Sequence, residues 1–163
     1  MPAHSQQIMS SNTGRLPILA LAVIGKKGQP LYVRNFASPS GGDADLKWHY
    51  AAHVSLDVFD ERDALPTTLV DCYFGLLYAM EDYACYGYQS NTRIRFVLCL
   101  PMKDTLIKDT EVKLVFKSLH AAYIQHICNP FHQIPIDNPN PNATTPTIKS
   151  KAFDQQINRI VGL

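Results

Sequence analysis

The sequence predicts an α+β domain with elements in the order ββαβββαα, a five-stranded, mostly antiparallel sheet between helical layers. Three observations carry that prediction. The runs 16–25 (LPILALAVIG) and 94–100 (IRFVLCL) are apolar at nearly every position, which fits strands covered on both faces of a sheet. Short turn-like stretches, Ala79-Met80-Glu81-Asp82 and Gln89-Ser90-Asn91-Thr92, separate three strand-length segments, which favours antiparallel neighbours. Segments 46–62 and 109–129 keep the spacing of helices. A chain of 163 residues fits one domain with a core of its own.

Taken in order, residues 1–14 are polar and aperiodic and read as a disordered tail ahead of a single domain over 15–163. The first strand lies within 16–25. Gly25-Lys26-Lys27-Gly28 is a hairpin turn, too short for a phosphate-binding loop and lacking its Lys-Ser/Thr end, and 30–34 returns as the second strand. Ser38-Pro39-Ser40-Gly41-Gly42 breaks the sheet, and Asp43 or Asp45 is placed to cap the helix that follows. After a loop around Pro66 come strands at 72–78, 83–88 and 93–100, a meander whose last member should lie beside the first strand at the centre of the sheet. A long helix starts with Asp109 as its cap, puts Val112, Val115, Phe116, Leu119, Ala122, Tyr123 and Ile127 on one side, and stops at Asn129 because Pro130 disfavours helical geometry before it. Residues 132–148, rich in Pro and Asn, read as a mobile loop, and a short helix from Ser150 carries Phe153, Ile157, Ile160 and Val161.

Composition excludes several functions. Net charge is +1 with scattered Lys and Arg, so no nucleic-acid footprint or polybasic membrane patch is expected. No segment approaches the length of a membrane span. Cys72, Cys85, Cys99 and Cys128 lie far apart in apolar stretches and read as reduced, buried thiols of a cytosolic protein. The Met-Pro start lacks a secretory pattern, so the sequon at Asn142 is expected to be coincidental. Tyr73, Tyr78, Tyr83, Tyr86 and Tyr88 crowd the meander among acids instead of bases, which favours cross-strand packing over base stacking. No Gly-x-Ser-x-Gly elbow or Rossmann glycine pattern appears, so no catalytic residue and no cofactor site is expected.

The first helix is the informative element, because it carries two apolar stripes where a fold needs one. Trp48, Ala51, Ala52, Ser55 and Phe59 share one side, and their small members would let the helix approach a sheet closely. Leu46, Tyr50, Val54, Asp57 and Glu61 follow one another at i, i+4, i+8, i+11 and i+15, so apolar surface runs into carboxylates. This second stripe reads as a partner-docking surface. His49 and His53 stand four apart, the spacing of a metal dyad, but no glutamate follows His49 in the zincin pattern and no third ligand is placed, so a small metal hydrolase is the weaker alternative.

The segments 22–36 (AVIGKKGQPLYVRNF), 46–62 (LKWHYAAHVSLDVFDER), 73–91 (YFGLLYAMEDYACYGYQSN), 94–98 (IRFVL), 119–131 (LHAAYIQHICNPF) and 150–154 (SKAFD) resemble the sedlin family of longin-like (SNARE-like) domains. Gly75-Leu76-Leu77-Tyr78, Glu81-Asp82-Tyr83 and Tyr86-Gly87-Tyr88 point to its 2-like branch, while Asn129-Pro130-Phe131 is shared more widely. The N-terminal extension and the long 132–148 loop depart from the family pattern. The resemblance implies one helix on one face of the sheet and two on the other. It implies a non-enzymatic adaptor in the trafficking protein particle (TRAPP) complex, a vesicle tether that activates Rab-type GTPases by nucleotide exchange in ER-to-Golgi and intra-Golgi transport. The expected partners are other TRAPP subunits, longin-like chains among them, and indirectly small GTPases. The expected location is cytoplasmic, peripheral on ER–Golgi intermediate and Golgi membranes. Asp57 matches an acidic position of the family's helix. A longin domain serving another trafficking machine, such as a coat adaptor, shares the fold and differs in partner.

Overall fold

The computed structural model describes residues 15–38, 42–65, 71–103, 106–131 and 148–162. The expected tail over 1–14, the loop around Pro66, the sequon at Asn142 and all but the last residue of the 132–148 loop lie outside them. The elements are β1 (Ala20–Ile24), β2 (Pro30–Asn35), α1 (Asp43–Asp63), β3 (Tyr73–Ala79), β4 (Tyr83–Gln89), β5 (Arg95–Pro101), α2 (Asp109–Ile127) and α3 (Lys151–Val161). They form one sheet in the order β2-β1-β5-β4-β3 with every pairing antiparallel. β1 lies beside β5 at the centre, as their apolar sequences require. This is the α+β, longin-like arrangement expected.

Alternation along the two central strands divides the core. Ala20, Ala22, Ile24, Val97 and Cys99 meet α1 on one face, with Trp48, Ala51, Ala52 and Phe59 packed against them. Leu21, Val23, Phe96, Leu98 and Leu100 meet α2 and α3 on the other, through Val112, Phe116, Leu119, Phe153 and Ile157. Small residues bring α1 close to the sheet: a Cβ on Gly87 would lie 2.7 Å from Phe59 Cζ and 2.8 Å from both Leu77 methyls. Phe59 itself is fully buried, worth about 3 kcal/mol of hydrophobic stabilisation. Meander tyrosines pack as expected, with Tyr83 edge-on to Trp48 at 5.3 Å and Tyr88 stacked on Phe116 at 5.6 Å.

Several boundaries differ from the sequence reading, each for a local reason. β1 begins at Ala20; Leu16 and Ile18 ahead of it pack on the core without joining the ladder. Neither Asp43 nor Asp45 caps α1; Gly42 is the cap residue at φ 115°, and both acids lie in the first turn, where the helix dipole favours negative charge. Lys108 holds the cap position of α2, and Asp109 accepts from the Tyr73 hydroxyl at 3.0 Å instead of capping. α2 ends at Ile127, two residues early, while the Asn129 side chain accepts from the Phe131 amide at 3.0 Å. In its last turn His126 is buried and Ile127 is exposed, the reverse of the polarity-based reading. Ser150 caps α3, its oxygen accepting from the Phe153 amide at 3.3 Å. Cys85 and Cys99 are buried free thiols 3.1 Å apart, but Cys72 is half-buried and Cys128 exposed. The hydrogen bond to Cys85, together with burial, raises the pKa of Cys99 far above the ordinary thiol range.

Candidate functional site

The buried residues of α1 are Trp48, Ala51, Ala52, Ser55 and Phe59, the set read from helical spacing. Seating that side on the sheet turns the second stripe outward. Leu46 and Tyr50 are 69% and 65% exposed, far beyond what an inward-facing apolar pair would show. Val54 is half-buried, and Asp57 and Glu61 are exposed. The five residues therefore form one continuous outward side, apolar over its first half and acidic over its second.

The acids of α1 divide into two groups by what they touch. Asp60 and Asp63 are tied to the sheet, because Arg95 pairs with them at 2.6 and 3.3 Å and Arg93 pairs with Asp63 at 2.9 Å. Arg95 also lies over the Phe59 ring at 5.2 Å, so this end of the helix is fixed by charge and packing together. Asp57 and Glu61 make no ion pair or side-chain hydrogen bond among the described residues. Toward the other end, Lys47 bonds Asp82 in the β3–β4 turn and lies over the Tyr83 ring. That bond to Lys47 holds the Asp82 carboxyl below the usual carboxylate range. Lys47, Asp60, Arg62 and Asp63 thus tie the helix to the sheet, while the stripe's carboxylates meet no cation among the described residues.

His49 and His53 are both exposed on α1. Among the described residues no three His, Cys, Asp or Glu gather closely enough to hold a metal ion, so the dyad lacks a third ligand there. No described helix is long and apolar enough to cross a membrane. Sequence reasoning missed that scattered apolar side chains of α2 reach solvent, Leu114 and Ile124 along the helix, Ile127 at its end and Phe131 just past it. Their signal was weak because the isolated apolar residues alternate with Lys117, Ser118 and Gln125.

The fold and this partly apolar, partly acidic helix side define a longin-like module. The family model for Sedlin matches residues 23–162, and the chain belongs to the sedlin family. It is similar to the trafficking protein particle complex subunit 2-like proteins of Taeniopygia guttata, 38% identical over 147 residues covering 88% of this chain and 96% of the relative. The Mus musculus protein of that name is 39% identical over 143 residues, covering 85% and 93%. The Dictyostelium discoideum one is 36% identical over 145 residues, covering 88% and 96%.

Proposed function

We propose that this chain is a non-catalytic adaptor subunit of a TRAPP complex, docking onto a neighbouring subunit through Leu46, Tyr50, Val54, Asp57 and Glu61. The observation that carries the reading is the outward side of α1, where exposed apolar residues run into carboxylates that nothing in the described chain engages. Apolar contact around such a carboxylate excludes water, which strengthens its bond to a partner Arg or Lys. The name shared by the relatives supports the identity of the complex. In this reading the chain supports assembly of a tether that acts as a Rab exchange factor between ER and Golgi. Other subunits meet the GTPase, and membrane association is peripheral, through the complex. Affinity purification of the tagged chain from its native cells, followed by identification of the co-purified proteins, tests this. Stoichiometric recovery of other TRAPP subunits is the expected result. Recovery of coat-adaptor subunits instead, or of a solitary chain carrying one zinc, contradicts it.

A further inference from the structure

The two outer edges of the sheet are finished differently. On β3 the Arg62 guanidinium donates to the Phe74 and Leu76 carbonyls at 2.5 and 2.6 Å, so that edge is blunted by a charged side chain. On β2, among the described residues, one backbone rung lies beyond β1, a bond from the Ile148 amide to the Leu31 carbonyl at 2.8 Å.

Register shows which backbone groups on β2 are left unbonded among the described residues. Phe36 donates to Leu19 at 2.8 Å, and the pairing continues as Leu21 with Arg34 and Val23 with Tyr32. Antiparallel pairs alternate between bonded and non-bonded positions, so Tyr32 and Arg34 direct their backbone groups to β1. Val33 and Asn35 direct theirs outward, as Leu31 does toward Ile148. Two adjoining hollows lie along this edge, of about 240 and 770 Å³, and both are lined by Val33, Arg34 and His49.

The charge left over is positive in the larger hollow, where Arg34, Lys149 and Lys151 face one acid, Asp154, while in the smaller one Asp45 balances Arg34. Asp154 accepts from the Tyr32 hydroxyl at 2.7 Å and lies 3.8 Å from Arg34, and Asp45 accepts from Asn35 at 3.4 Å. Lys149 and Lys151 line the larger hollow, are exposed, and have no ion-pair partner among the described residues. A neutral or basic strand would leave these two ammonium groups unanswered.

We infer that the outer edge of β2 receives a short extended segment of a partner protein, bearing acids on alternate residues, by strand addition beyond Ile148. The Val33 amide and carbonyl supply the rungs, and the side chains on the α3 side of the added strand meet Lys149 and Lys151. This surface is separate from the outward stripe of α1 and stands whether or not that stripe docks a subunit.

A fluorescent peptide of alternating glutamate and valine, titrated into the full-length chain by anisotropy, tests it, with a lysine–valine peptide and phosphatidylserine vesicles as comparators. Val33→Pro removes one outward donor, which an edge strand tolerates because β1 does not use it. The acidic peptide should bind saturably, more weakly in high salt, with amide shifts centred on Val33 and Asn35. Val33→Pro and the Lys149→Glu/Lys151→Glu pair should each weaken it at least tenfold, while Asp57→Arg should leave it unchanged. Absence of saturable binding, equal binding of the lysine peptide, or binding indifferent to Val33→Pro overturns the inference. Vesicle binding that survives Val33→Pro but not the lysine pair overturns it in favour of an anionic lipid surface. Should Val33→Pro lose its native circular dichroism, the amide shifts decide, and shifts away from Val33 overturn the inference.

Discussion

At Ser150 one hydroxyl sets where α3 begins, accepting from the Phe153 amide as the chain turns into the helix. Ser150→Ala removes that acceptor and should lower stability by about 1 kcal/mol, read as an earlier urea midpoint with an unchanged slope. Tyr32 ties the same helix to β2 and titrates abnormally: burial, then its hydrogen bond to Asp154, pushes its pKa up to about 12 from an ordinary 10.0. The folded state therefore favours the neutral phenol. Its contribution is fully present below pH 10 and is lost as pH rises from there toward about 12, because the unfolded chain releases the proton first. Tyr32→Phe should flatten part of the alkaline fall in melting temperature, and an unchanged slope would contradict this account of Tyr32. Asp57 has no partner to lose among the described residues, so its replacement should cost the monomer little.

Among the elements, α1 depends on how closely it can sit. Gly87 faces Phe59 and Leu77 with no room for a Cβ, so Gly87→Val should displace α1 or β3 and cost about 2 kcal/mol by overpacking. A melting temperature within error of the unsubstituted chain would show that the contact is not tight. The seating of α1 was legible because its inward residues recur with helical period and include two alanines and a serine, a pattern that needs no knowledge of the sheet. The same reasoning failed in the last turn of α2. Polarity favoured Ile127 as core, but at 100° per residue counted from Val112, position 126 falls inside the buried stripe and 127 at its margin. His126 fills that place, 5.3 Å from the Phe153 ring. Caps were misread because Asp109 finds a better partner in Tyr73, thirty-six positions away and invisible to local sequence. The groove beside β2 was equally hidden, since Val33, His49 and Lys151 come from three separate parts of the chain.

For the whole molecule, one helix covers one sheet face and two cover the other, and the lone helix is the one left with an apolar and acidic outer side. A two-faced sheet of this kind closes its core without the outer side of α1, and that surplus apolar surface is where docking is proposed. Sequence periodicity located that surface, and the family relationship supplies the complex in which it is proposed to act. The most direct measurement is the recovery of TRAPP subunits with tagged Asp57→Arg, compared with the unsubstituted chain and with circular dichroism of both. The docking account predicts a native spectrum and a clear loss of co-purified subunits. A native spectrum with undiminished recovery would contradict it.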